Sequence, residues 1–147
     1  MINWIHQEEG YCEGSFISEF FCDDENNNEL VVGAKSPEFS ECAEKCVEAF
    51  NSLSELEIKK ICENIISSIK ESGMDEYFDV AVLENPLDIL NYCWFTTLYV
   101  NMLSTEDEIA YVVEGEGEWG ASIGFAVNSG KLVYVGENYF ECMKREE

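Results

Sequence analysis

The chain is predicted to be an α+β domain: an N-terminal β-hairpin, two consecutive amphipathic helices, then a C-terminal antiparallel meander sheet. Three observations carry this. Strand-favouring residues flank a polar break between 11 and 34, apolar residues recur at helical spacing between 36 and 73, and from Trp94 the period falls to two. The 147 residues read as one domain, 1–147, without repeat or linker, and can bury a full core. A composition of 46% hydrophobic and 13% aromatic residues separates the chain from acidic disordered proteins.

The hairpin opens with Tyr11, Phe16, Ile17, Phe20, Phe21 and Cys22. Asp23 to Asn28 form the break, because short polar side chains bond to nearby backbone, and Leu30-Val31-Val32 returns. Ser36 is an expected N-cap, with Pro37 at the first helical position, where its missing N–H costs nothing. Phe39, Ala43, Cys46, Val47 and Phe50 form the stripe of this helix, and Glu41, Glu44, Lys45 and Glu48 lie outside it. Ser54-Glu55-Leu56-Glu57 matches a capping box. The helix it opens has an apolar face of Ile58, Ile61, Cys62, Ile65, Ile66 and Ile69, and Gly73 stops it.

Asp79 to Leu83 reads as a short strand or a loop, and Asn85-Pro86 starts a short helix through about Tyr92. In the next strand, Trp94, Thr96, Leu98 and Val100 are expected on one face, with Phe95, Thr97, Tyr99 and Asn101 on the other. Strands over Ile109 to Glu114, Trp119 to Val127 and Lys131 to Val135 complete the meander. Ser104 to Glu108, the Gly-Glu-Gly-Glu at 115 to 118, and Asn128-Ser129-Gly130 separate them.

Charge narrows the function. The chain holds 31 Asp and Glu against 8 Lys and Arg, a formal net charge of −23. The acids cluster in Asp23-Asp24-Glu25, Glu106-Asp107-Glu108 and Glu114-Gly115-Glu116-Gly117-Glu118. Such a surface repels nucleic acid and anionic membranes, which both select Lys and Arg. A basic protein, a cation or no specific partner remains. No apolar run reaches the roughly 20 residues of a membrane span. Met1 to Glu9 lacks the basic and apolar parts of a secretory signal. With seven cysteines, an odd number, the chain is expected to be cytoplasmic with reduced thiols.

No catalytic chemistry, cofactor or metal is expected. His6 is the single histidine, and no G-x-S-x-G elbow accompanies it, so a Cys–His pair needs the fold to bring His6 to a thiol. Cys42 and Cys46 are one helical turn apart, but zinc sites use C-x-x-C pairs and four ligands. A calcium loop counted from Asp23 has Asn28 at position six and Ala34 at position twelve, where an EF-hand has Gly and Glu. With so many acids, a paired-carboxylate hydrolase cannot be read from spacing. Glu114, Glu116 and Glu118 read either as a solvated turn or as a rake of carboxylates on one side of an extended segment.

Glu118-Trp119-Gly120-Ala121-Ser122-Ile123-Gly124-Phe125, the turn at 128 to 130, and Lys131-Leu132-Val133-Tyr134-Val135-Gly136 carry a resemblance. Over residues 94 to 136 the chain resembles the closing hairpin of small bacterial immunity proteins from polymorphic-toxin and contact-dependent growth inhibition systems, and of related uncharacterised α+β families. The resemblance implies a protein–protein interaction: the chain as toxin inhibitor, neutralising a cognate basic toxin, often a nuclease. A nuclease is basic where it holds phosphate, and clustered carboxylates steer such encounters. The expected partner-binding residues are Glu106, Asp107, Glu108, Glu114, Glu116, Glu118 and Trp119. Trp4, Trp94 and Tyr139 are the other candidate anchors. The alternative is a small-molecule-binding, cation-binding or housekeeping domain without a toxin partner. Oligomeric state stays open.

Overall fold

The computed structural model describes residues 2–18, 20–21, 28–100, 109–129 and 131–142, with the side chains of 140 and 142 excepted. The chain is mixed α and β and strand-rich. Seven strands lie in one sheet in sequence order: β1 (Asn3–Glu8), β2 (Tyr11–Ile17), β3 (Glu29–Ala34), β4 (Cys93–Val100), β5 (Ala110–Gly117), β6 (Ser122–Asn128) and β7 (Lys131–Gly136). Neighbours pair antiparallel except β3 and β4, which run parallel with Val31, Val32 and Gly33 opposite Thr97, Leu98 and Tyr99. A parallel pair needs a long crossover, and this one holds helices α1 (Ser40–Asn51) and α2 (Glu55–Glu71). Hairpin and meander, expected as separate pieces, are thus one sheet.

The helices cover one face. α1 buries Cys42, Ala43, Cys46, Val47 and Phe50, and α2 buries Ile58, Ile61, Cys62, Ile65 and Ile69. Each buried isoleucine contributes about 1.5–3 kcal/mol relative to an exposed one. The capping box forms: the Glu57 N–H donates to Ser54 Oγ at 3.1 Å, and the Ser54 N–H donates to Glu57 Oε1 at 3.3 Å. Phe50 is the hub of this inner core, with ring centroids 5.2 Å from Phe21, 5.8 Å from Phe16 and 6.3 Å from Phe125. Inner positions of the sheet are Leu30, Val32, Phe95, Leu98, Tyr111, Val113, Ile123 and Phe125, all buried.

Several expectations need correction. β1 was not expected, since Asn3 to Glu8 are mostly exposed and polar; the cue was Glu9-Gly10, where Gly10 takes a φ of 95° that suits glycine. The first hairpin strand ends at Ile17, because the Ser18 hydroxyl accepts the Phe21 N–H at 2.9 Å and turns the chain. Phe21 then drops into the core while Phe20 stays exposed. Ser36 starts a 3-10 turn (Pro37–Phe39) through its carbonyl, not its side chain, and α1 begins only at Ser40. Val80–Val82 is a 3-10 turn rather than a strand, whereas the short helix expected after Asn85 does form, as 3-10 helix over Pro86–Asn91.

In β4 a bulge between Phe95 and Thr97 reverses the alternation. Phe95, Leu98 and Val100 point inward, leaving Trp94, Thr97 and Tyr99 half-buried on the outer face. Gly115-Glu116-Gly117, expected as a break, belongs to β5, and the turn is 118–121. The expected Asp23 to Asn28 loop (but for Asn28), the Ser104 to Glu108 break, Gly130 and Asn101 lie outside the described residues.

Candidate partner-binding face

No helix among the described residues covers the second face of the sheet. Among the described residues the 3-10 turn Tyr139–Cys142 packs there, over β5, β6 and β7. Its anchor is Tyr139, 4% exposed, which with Val112, Ala126 and Tyr134 forms a small apolar cluster separate from the main core. Gly124 makes room for it: a Cβ there would come within 2.5 Å of the Tyr139 ring. The Tyr134 hydroxyl accepts the Asn138 N–H at 3.0 Å and ties the turn to β7.

Beside that cluster lies a tyrosine-ringed carboxylate. Glu114 is half-buried, opposite Thr97 on β4 and Gly124 on β6. The Tyr99 ring lies against Gly33 and its hydroxyl donates to Glu114. Burial, reinforced by the Glu114 charge and hydrogen bond, pushes the Tyr99 hydroxyl up to about 12. Burial raises Tyr139 too, followed by the Glu114 charge, and Ser122 donates to its hydroxyl in opposition. Glu114 is therefore held by the neutral Tyr99 phenol, with Tyr139 close enough to feel its charge.

Glu116 is exposed, two residues on along the same side of β5, so about 7 Å of strand rise separates the two carboxylates. Glu118 is exposed in the following turn, where its N–H donates to the Tyr92 carbonyl at 2.8 Å. Gly117 and Gly120 close that turn. A hollow of about 190 Å³ lies between Glu116 and Gly120 to Ser122. Glu114 and Glu116 thus share a face, and Glu118 follows at the strand end. Trp94, half-buried opposite Glu116, is the adjacent aromatic.

Trp119 does not join them. It is 6% exposed, its ring sits where a Gly117 side chain would be, and its centroid is 5.8 Å from Phe78. Gly117 is glycine for this reason, and Trp119 serves the core. Glu106, Asp107 and Glu108 lie outside the described residues. Trp4 is half-buried. Missed from sequence were Tyr99 and Tyr139 as partners of Glu114; alternation in β4 hints at Tyr99 only once the bulge is known.

His6 lies on the outer face of the β1–β2 hairpin, its Nε2 3.3 Å from Glu8 Oε2 and its ring centroid 5.6 Å from that of Tyr11. The described cysteines 12, 42, 46, 62 and 93 are buried and unbridged. The Cys12, Cys46 and Cys93 thiols donate to the carbonyls of Glu8, Ala110 and Ile89. Burial pushes Cys62 up to about 12, which keeps it a thiol at neutral pH. Among the described residues no group of three or more His, Cys, Asp or Glu is arranged to hold a metal, and no helix is long and apolar enough to cross a membrane. Cys22 and the Cys142 side chain lie outside the described residues.

Residues 1–141 match the family model described as "Domain of unknown function (DUF6985)", and the chain belongs to that family. No curated protein and no solved structure matches the chain.

Proposed function

We propose that the chain is a cytoplasmic, non-enzymatic inhibitor that binds and neutralises a cognate basic protein, most simply a nuclease toxin, through the acidic end of its uncovered sheet face. The observation that carries this is the placement of Glu114, Glu116 and Glu118 beside half-buried Trp94 and Tyr99 on a face that no helix among the described residues covers. Binding surfaces combine a desolvated aromatic anchor with charges that steer approach, and these residues supply both. Trp94 takes the anchoring role first assigned to Trp119. Glu106, Asp107 and Glu108 are included in the proposed site on their charge alone.

The test uses the product of the open reading frame adjoining this gene, with association rates measured across salt. Glu116→Lys with Glu118→Lys should slow association and flatten its salt dependence, because screening is strong beyond about 8 Å at physiological ionic strength. Glu41→Lys with Glu48→Lys on exposed α1 positions makes the same charge change elsewhere. Glu44 is unsuitable as a control, since its carboxylate accepts the Ile2 N–H at 3.1 Å and ties the N-terminal segment to α1. Equal slowing by both pairs would reduce the effect to net charge and remove the site.

A further inference from the structure

On the helix side, α2 does not close fully over the β6–β7 hairpin. A cavity of about 290 Å³ opens there, floored by Leu53, Ile61, Val127 and Leu132 and flanked by Lys60 and Lys131. Lys60 and Leu132 also line a neighbouring hollow of about 340 Å³ at the β7 edge of the sheet. Neither lysine is within ion-pairing distance of a carboxylate among the described residues, although acids outnumber bases 31 to 8. Glu57 borders the groove as well, its Oε1 engaged by the Ser54 N–H and hydroxyl, and its carboxylate set against the two lysines leaves the lining with one net positive charge.

Two lysines on an apolar floor select for an anion that also has apolar surface to bury. The net charge of −23 sharpens this, because the whole-chain field repels an ion with no hydrophobic gain to offset it. The volume lies at the lower end of the roughly 300–1,000 Å³ of small-molecule sites. We propose that this groove binds a medium-chain fatty acid, its chain along Leu53, Ile61, Val127 and Leu132 and its carboxylate between Lys60 and Lys131. The site is on the opposite side of the sheet from Glu116 and is independent of the partner-binding face.

The test titrates the full chain with decanoate, decanol and inorganic phosphate, following the backbone amides of Lys60, Ile61, Val127 and Leu132. Decanoate should shift these amides saturably, decanol should bind more weakly, and phosphate should leave them unmoved. Lys60→Met and Lys131→Met keep the apolar stem and should each weaken decanoate about fivefold, the upper end for an exposed ion pair. Decanol binding should not change in either variant. Lys60→Arg, which keeps the charge, should retain binding, and Lys70→Met, the same charge change farther along α2, should have no effect. Decanol binding as tightly as decanoate, or Lys70→Met weakening it equally, would overturn the proposal. So would decanoate shifts centred outside the groove.

Discussion

Residues 114 to 117 serve both faces of the sheet at once. Glu114 and Glu116 look outward, while Gly115 and Gly117 lie on the inner side under Phe95 and Trp119. The inner face is keyed: a Gly115 Cβ would meet the Trp94 carbonyl oxygen at 2.2 Å, and backbone cannot step aside. The outer face is mixed: a Gly33 Cβ would lie 3.2 Å from a Tyr99 ring that can tilt, whereas a Gly124 Cβ would meet the Val113 carbonyl oxygen at 2.3 Å. The inner face stores stability in shape throughout, whereas the outer face does so only at Gly124 and Tyr139 and elsewhere carries charge and phenol hydroxyls.

That contrast is easiest to break at its centre. Phe50→Ala, which empties the position between Phe16, Phe21, Phe125 and Tyr111, should lose about 4 kcal/mol in urea unfolding. Tyr134→Ala, at the edge of the outer cluster, should lose clearly less, and equal losses would mean the outer cluster is a second core. Gly115→Ala comes next at about 3 kcal/mol, against less than about 1 for Gly33→Ala in the same assay. A reversed order would show that the Phe95–Trp94 corner yields.

Alkali probes both faces together. Tyr99 on the outer face and Cys62 on the inner are each raised to about 12 in the folded chain, and Tyr111 and Tyr139 are raised as well. The unfolded chain therefore releases these protons first, near pH 9 to 10, where ordinary thiols and phenols titrate. Their contribution is whole below that range and falls as pH rises towards about 12, by up to about 1.4 kcal/mol per pH unit for each fully buried group. Unfolding measured from pH 8 upward should show this decline, and tyrosinate absorbance should lag the free-phenol curve. A flat profile would mean the phenols are solvated in the folded state.

The smallest effect sharpens the inner face. The Tyr111 hydroxyl is buried without a hydrogen-bond partner among the described residues, so Tyr111→Phe should raise stability by about 1 kcal/mol. A loss of that size would reveal a partner, and the place to seek it is around Cys46 and Glu57, the two titratable groups coupled to Tyr111.

What was legible in the sequence is local. Ser54 and Glu57 announce their capping box, and the isoleucines of α2 announce a buried face, because both signals repeat within a turn or two. Illegible features depend on what lies across the sheet. Gly115 and Gly117 look like turn residues until Phe95 and Trp119 are seen to fill their missing side chains. Trp119 looks like a surface anchor because it follows acids, yet the turn folds it inward. The bulge at 95–97 exchanges which side of β4 faces the helices, and nothing in Trp94 to Val100 marks it. Of the site, the outward pair Glu114 and Glu116 was readable from alternation alone, whereas the Tyr99 and Tyr139 partnership needed the sheet order.

The parallel seam between β3 and β4 also sets an order of assembly during synthesis. β1, β2 and β3 are complete at Ala34, but the strand that covers Val31, Val32 and Gly33 begins 59 residues later, at Cys93. At roughly 5–20 residues per second, the nascent chain carries an open strand edge for several seconds. A sheet edge in that condition is a template for any other extended chain. α1 and α2 emerge in that interval, and their helical contacts are local enough to form without the rest of the sheet. Early packing of α1 against β3 would shelter the apolar side of the waiting edge, making the first helix an intramolecular chaperone for the hairpin before the meander arrives.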